Sequence, residues 1–234
     1  MLLTVWSPKG GTGTTTIAVA LSALIASEHG DVRLLDFVGD GASIIGARID
    51  RNVGVHDWLA VGSSPPNEAL DALSVAIGER FRYIPPGNSR GLPTAAASAS
   101  LADATRRSSA IVVADCGHLH DAPERALVEA GDLSIAVIRP CFLTMARSAR
   151  CATWLQKSCG FVFVDEPHRS LSAKQCAGIL GRPVLAAVPY SPEIARSIDS
   201  GMLLRRRPQP LFKPLDGLCR RLGILSPERL RSVS

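Results

Sequence analysis

Short apolar runs alternate with longer segments whose apolar residues recur at helical spacing along most of the chain. Most runs are rich in β-branched residues and continuously apolar, which is typical of strands buried on both faces of a parallel sheet. Strands are predicted at residues 2–6, 32–36, 81–84, 110–115, 134–139, 161–165 and 184–188. Helices are predicted at residues 14–27, 94–106, 123–130, 142–157, 172–180 and 192–200. This alternation predicts a doubly wound α/β fold, with a mostly parallel sheet flanked by helices.

The stretch between residues 39 and 91 is less regular and rich in glycine and proline, with a short helical segment at 56–60. We interpret it as surface connections within one domain. A chain of 234 residues fits one large domain or two small ones. We therefore predict a single domain over residues 1–234, in which 205–234 form a basic C-terminal helix and tail.

Composition excludes several classes of protein. Hydrophobic residues make up 46% and charged residues 20% of the chain, which excludes a disordered or collagen-like protein. The longest apolar stretch covers residues 17–26, whereas a membrane-spanning helix needs about 20 residues. The first residues show no signal-peptide pattern, and the six cysteines lack the spacing of a zinc site. We expect a cytoplasmic protein with reduced thiols.

Positive charge is concentrated near the C-terminal end. The net charge is +5, and residues 196–234 contain nine Lys or Arg but three Asp or Glu. Such a segment attracts DNA or an anionic membrane surface. Residues 211–225 also carry an apolar stripe, which suits either an amphipathic membrane-binding helix or the last helix of the domain docked on the sheet. We favour the docked helix.

The clearest candidate chemistry lies in the turn between the first strand and the first helix, which reads SPKGGTGTTT at residues 7–16. Its glycines allow a tight curl that points successive amides inward as an anion-binding nest. The N-terminus of the following helix adds a partial positive charge. The hydroxyls of Thr15 and Thr16 can reach a magnesium ion and phosphate oxygens. The turn therefore predicts a phosphate-binding site.

In this turn the sequence resembles the ParA/MinD family of P-loop ATPases. KGGTGTTT at 9–16 resembles the family's deviant Walker A motif, KGGxGK[ST][ST]. VRLLD at 32–36 is similar to the second strand and its carboxylate, and AIVVADCG at 110–117 is similar to the Walker B strand. GRPVLAAVPYSPEIARSIDSG at 181–201 resembles the late strand, proline-containing loop and helix. The resemblance implies a three-layer α/β/α P-loop NTPase fold.

The resemblance also implies that the cofactors are ATP and Mg²⁺. It places the nucleotide on Lys9, Gly10, Gly11, Thr12, Gly13, Thr14, Thr15 and Thr16, and the metal ion on Thr15, Asp36 and Asp115. Lys9 would be the signature lysine that reaches phosphates across an ATP-bound homodimer. On the base side, Pro189 and Tyr190 follow the last strand, in a loop without the family's asparagine.

Two departures from the family pattern bear on catalysis. Thr14 stands where the family has a lysine, and losing a unit charge about 4 Å from a phosphate costs on the order of 4 kcal/mol at an effective dielectric of about 20. Val38 stands where the family has a second carboxylate after Asp36. Asp40 is the nearest candidate to orient the attacking water in its place. Because phosphoryl transfer depends on positioning and charge, we predict slow or absent hydrolysis.

These observations predict a dimerising spatial organiser of the ParA/MinD type, acting with protein partners in partitioning, division-site, flagellar or pilus positioning. One alternative is a non-hydrolysing scaffold resembling the TadZ/CpaE type of pilus assembly. Another is an NAD(P)-dependent oxidoreductase, because residues 11–16 and Asp36 partly match a dinucleotide-binding motif. His118 and His120 suggest metal chemistry, but two histidines without a third ligand are more typical of a polar loop.

Overall fold

The computed structural model describes residues 1–28, 30–50, 52–61, 67–89, 91, 93–119 and 122–225. The strands are β1 Leu2–Ser7, β2 Val32–Asp36, β3 Val75–Ala76, β4 Phe81–Ile84, β5 Ile111–His118, β6 Leu133–Ile138, β7 Gly160–Val164 and β8 Val184–Val188. The helices are α1 Thr14–Ser27, α2 Gly41–Ile45, α3 Val55–Ala60, α4 Asn67–Ala72, α5 Ala95–Arg107, α6 Ala122–Ala130, α7 Phe142–Arg150, α8 Ala152–Lys157, α9 Ala173–Leu180, α10 Pro192–Asp199, α11 Leu203–Arg206 and α12 Gln209–Arg221.

The described strands form one sheet in the order β3-β4-β2-β5-β1-β6-β7-β8. All neighbours are parallel except β3, which runs antiparallel to β4. The predicted doubly wound, mostly parallel sheet is thus confirmed. The order also contradicts the oxidoreductase alternative, because a dinucleotide-binding fold places its second strand beside its first, whereas here β5 separates β1 from β2.

Strand β1 lies at the centre of this sheet and is buried on both faces. Leu3 and Val5 pack into the core under α1 and α12, whereas Leu2 and Trp6 pack into the opposite core with α5 and α6. The buried Trp6 indole donates to the hydroxyls of Ser134 and Ser158, at 3.0 and 3.2 Å. The carboxyl end of β1, where the glycine-rich turn begins, is therefore held by packing on both sides.

The predicted strands are all present, with ends displaced by at most three residues. The prediction of one helix over 142–157 was wrong, because α7 ends at Arg150 and α8 begins at Ala152. Cys151 between them has a backbone conformation outside the helical region. Elements α2, α4, α11 and β3 were not predicted. Each has six residues or fewer, too few for a periodic pattern.

The last described helix, α12, docks on the domain. Its apolar residues pack against α1 and β8 and are buried; they are Leu211, Phe212, Leu215, Leu218 and Cys219. This confirms the docked-helix interpretation and corrects the membrane-binding alternative, because the apolar stripe is already covered. Residues 226–234 of the predicted tail lie outside the described residues. Within the described ranges, no helix has both the length and the apolar character needed to cross a membrane.

Candidate functional site

The glycine-rich turn opens onto free space at the carboxyl edge of the sheet. Gly11 and Gly13 adopt the left-handed conformation, with φ of +73° and +91°, which favours glycine. A Cβ at either position would meet nothing within 4 Å. Gly13 is the N-cap of α1 and supplies no side-chain cap. The first amides of this 14-residue helix are therefore directed at a place where an anion can bind.

The threonines that follow have different surroundings. The Thr14 hydroxyl lies 3.0 Å from the Thr12 hydroxyl, and both side chains are buried. Position 14, where the resembled family carries a lysine, is thus occupied by a neutral group bonded within the turn. Thr15 and Thr16 line the same cavity as the glycines.

Asp115 in β5 lies beneath the turn and is fully buried. Its Oδ1 accepts a hydrogen bond from the Gly117 amide at 3.1 Å, but its Oδ2 is buried without a hydrogen-bond partner. Burial and, next, the negative charge of Asp36 raise the pKa of Asp115 to about 7, an effect that the Thr15 hydroxyl partly offsets. A buried carboxylate with an unused oxygen beside a hydroxyl is a suitable place for a hard cation.

Asp36 is the register partner of Asp115 on the neighbouring strand β2, and it is also fully buried. Its Oδ1 accepts from the amides of Val38 and Gly39, both at 2.8 Å. Its Oδ2 accepts from the Gly41 amide at 2.9 Å and from the Tyr83 hydroxyl at 2.7 Å. These four donors occupy the carboxylate, so Asp36 shapes the loop after β2 instead of offering oxygens to a metal ion.

Val38 and Asp40 belong to that loop, and both line the cavity. Asp40 is exposed and is the N-cap of α2, whereas Val38 leaves 45% of its surface exposed beside Gly117. The structure therefore brings Asp40 to the cavity wall with the loop as it stands. The place of the missing second carboxylate is apolar.

The turn, the loop after β2 and the end of β5 enclose one central cavity of about 710 Å³. Its wall also includes His118, the buried Glu124 and Arg139. Arg139 is the only lysine or arginine among the described lining residues. Lys9 is not among the lining residues; its ammonium group donates to the carbonyl oxygen of the lining residue Gly10 at 3.0 Å.

The predicted base-side residues lie apart from this cavity. Tyr190 is 62% exposed, and Pro189 lines a different groove, between β8 and α12. His120 lies outside the described residues. Within the described part of the chain, no cluster of three His, Cys, Asp or Glu side chains is arranged to hold a metal ion. The six cysteines are free thiols.

Sequence reasoning missed the cavity-lining residues Glu124 and Arg139, as well as Tyr83, whose hydroxyl holds Asp36. A signal for Arg139 was present, because it is a charged residue directly after a buried strand. The carboxyl ends of the strands are where ligands bind in open α/β sheets. The sequence does not show which strand lies beside β1, and the position of Arg139 depends on that neighbour.

The fold is the P-loop NTPase α/β fold that is also found in solved MinD and ParA proteins. The septum site-determining protein MinD of Pyrococcus horikoshii, solved with Mg-ADP, superposes with a TM-score of 0.76 and 18% identity, over 97% of this chain and 98% of that chain. The ParA family ATPase of Chlorobium tepidum gives a TM-score of 0.69 and 16% identity, over 92% and 95% of the two chains.

Closer in sequence are the uncharacterized proteins MT3760 and Rv3660c of two Mycobacterium tuberculosis strains. Each is 29% identical to this chain over 213 residues, which cover 85% of it. The chain matches only 57% of the length of these relatives. No protein-family model matches the chain.

Proposed function

We propose that this protein binds ATP with Mg²⁺ at the glycine-rich turn and acts as a dimerising spatial organiser of the ParA/MinD type, with slow or absent hydrolysis. The observation that carries the proposal is the buried, unpaired Oδ2 of Asp115 next to Thr15, beneath an open anion-binding turn. A cavity of about 710 Å³ is of the size that small-molecule ligands occupy. The fold shared with MinD, solved with Mg-ADP, is consistent with this ligand.

Different residues would bind the phosphates and the metal ion. The amides of the turn and of the first turn of α1 would receive the phosphate oxygens. Thr15 and Asp115 would hold Mg²⁺, which when bound neutralises phosphate charge. Asp36 is left out of the metal site, because its oxygens already accept four hydrogen bonds. Its part is to hold the loop that carries Asp40 against the cavity.

Slow hydrolysis is expected because positions 14 and 38 carry neither the lysine nor the second carboxylate of the resembled family. Thr14 is neutral and bonded to Thr12, and Val38 presents methyl groups where a carboxylate would orient water. Asp40 is the carboxylate of this loop that lines the cavity, and we assign it the water-orienting role if turnover occurs. A scaffold of the TadZ/CpaE type would use the same binding site without turnover, and it differs from the main proposal in that step alone.

Dimerisation through this edge is supported by exposed groups around the cavity. The Lys9 ammonium group donates to the carbonyl oxygen of Gly10 in an exposed hydrogen bond, and the Lys9 side chain is partly exposed, so a second copy could reach it. Phe142 and Leu143, at the start of α7, are 85% and 45% exposed, and Val38 is also exposed. Burial of these side chains against a second copy would be favourable. We propose that two copies meet here when ATP is bound.

The surface on which the organiser acts is proposed to be DNA or an anionic membrane, with further protein partners from a positioning system. Arg205 and Arg206 of α11 are exposed and lie in the basic C-terminal part of the chain. Because α12 forms part of the core, removal of residues 205–234 would unfold the domain. Charge reversal within α11 is the appropriate test.

Calorimetric titration of ATP, ADP and NAD⁺ with and without Mg²⁺ tests the binding proposal. We expect Mg²⁺-dependent ATP binding, no NAD⁺ binding, and dimers on size-exclusion chromatography with ATP. Lys9→Ala should abolish the ATP-dependent dimer and any turnover, and Lys157→Ala, at an exposed helix end, is the matched control. Binding and dimerisation without phosphate release would identify the scaffold. If no triphosphate binds at millimolar concentration, the proposal is wrong.

A further inference from the structure

Arg139 directly follows β6, the strand beside β1. In the register of these strands Trp6 is paired with Ala136, so that Arg139 and Lys9 each lie three residues beyond a paired position. The backbone at Arg139 is held by a hydrogen bond from the Cys141 amide to its carbonyl oxygen, at 2.8 Å. The backbone of Arg139 is therefore fixed at the same edge of the sheet as the glycine-rich turn.

Arg139 lines the central cavity together with Gly11, Gly13 and Thr15. It is the only lysine or arginine on the part of the wall that the structure describes. A triphosphate in this cavity would carry several negative charges, and Thr14 supplies no cation to meet them. The nearest permanent positive charge available to it from the wall is that of Arg139.

The guanidinium of Arg139 is weakly engaged by the protein. Its Nε is buried without a hydrogen-bond partner, and its Nη1 lies 3.9 Å from Glu166 Oε1. Glu166 is held more closely by Arg169, whose Nε donates to Oε2 at 2.7 Å. This hydrogen bond is the largest cause that lowers the pKa of Glu166. Arg139 thus retains donors for a ligand.

We propose that Arg139 supplies to the terminal phosphates of the bound nucleotide the positive charge that Thr14 does not supply. This inference rests on the proposed function and deepens it. Arginine remains charged in proteins and presents its donors in a planar fork that fits phosphate oxygens. The site would therefore bind phosphates through a cation that follows the neighbouring strand, in place of the lysine that the resembled family carries at position 14.

The test compares ATP and ADP affinity by calorimetry, with Mg²⁺, in the wild type and in Arg139→Ala and Arg139→Lys. A charge-assisted hydrogen bond corresponds to a factor of about ten to about a hundred in affinity. We expect Arg139→Ala to weaken ATP binding by that factor and ADP binding by less, with Arg139→Lys in between. Arg150→Ala, at the exposed end of α7, is the matched control and should change neither affinity by more than about twofold.

A rescue experiment separates a phosphate contact from a structural role. Thr14→Lys should restore ATP affinity in the Arg139→Ala background and should improve it less in the wild type, because the two cations serve the same phosphates. If Arg139→Ala does not fold, as judged by circular dichroism, Arg139→Gln keeps the bulk of the side chain without its charge. A wild type that binds ATP and an Arg139→Ala or Arg139→Gln variant that binds it equally well would overturn this inference alone. A wild type that binds no triphosphate overturns the proposed function as well.

Discussion

Replacing Asp115 by asparagine should make the ligand-free protein more stable while it removes the proposed metal ligand. Asp115 is fully buried, and one of its carboxylate oxygens has no hydrogen-bond partner. The register partner on β2 is Asp36, a second buried carboxylate. An asparagine keeps an oxygen for the Gly117 amide and removes the negative charge that the protein accommodates poorly.

The magnitude follows from the pKa of Asp115, which burial and the charge of Asp36 raise from 3.8 to about 7. One pKa unit corresponds to about 1.4 kcal/mol, so this rise corresponds to about 4 kcal/mol. Below pH 3.8 the group is protonated in both the folded and the unfolded state and destabilises neither. Between pH 3.8 and about 7 the unfolded state ionises this carboxyl while the folded state keeps it protonated, so the stability of the folded state falls as the pH rises. Above about pH 7 the loss is complete.

Urea denaturation in the presence of EDTA, at about pH 5 and about pH 8, measures this effect. We expect Asp115→Asn to exceed the wild type in free energy of unfolding by up to about 4 kcal/mol at the higher pH, and by less at the lower pH. Asp199→Asn, at an exposed position of α10, is the control and should follow the wild type. Millimolar Mg²⁺ should stabilise the wild type and leave Asp115→Asn unchanged. Equal advantage at both pH values would refute the assignment of a buried, poorly solvated charge to Asp115.

Two further predictions concern the loop after β2 and the basic surface. Gly41→Ala should lower the free energy of unfolding, measured in urea, by about 1–3 kcal/mol, because the added Cβ would lie 2.6 Å from Oδ2 of Asp36. The control is Gly178→Ala in α9, which should be neutral or stabilising because its Cβ would meet nothing within 4 Å. An equal loss of stability in both variants would contradict this prediction. Arg205→Glu combined with Arg206→Glu should reduce binding to DNA or to anionic vesicles and leave unfolding unchanged. Neutral vesicles are the control, and unaltered binding by the double variant would exclude α11 as the contact.

The sheet could be predicted from the sequence because its strands are continuously apolar runs. The bounds of α1 and of the strand 32–36 were predicted to the residue, since glycine or charged residues stop the apolar pattern at both ends. The break at Cys151 could not be predicted, because apolar and polar residues suit a helix on both sides of it. The short elements α2 and α11 depend on tertiary packing and leave no periodic signal.

Part of the candidate site could likewise be predicted from the sequence, and part could not. The turn at residues 9–16 is local in sequence, so its conformation could be expected from its glycines alone. The surroundings of Asp36 could not, because one of its donors is Tyr83 on β4, far along the chain. The position of Arg139 could not be predicted either, because it depends on β6 lying beside β1 in the sheet. Sequence order shows which residues end a strand but not which ends meet.

Asp36 and Asp115 show how the surroundings of a residue decide its role. Both are aspartates on adjacent central strands, paired in register and fully buried. Asp36 accepts four hydrogen bonds, whereas the bonded oxygen of Asp115 accepts one and its other oxygen none. An unsatisfied buried carboxylate is costly, and we propose that a bound cation offsets this cost at Asp115. An aspartate therefore organises a loop at position 36 and, by our proposal, binds a cation at position 115 on the neighbouring strand.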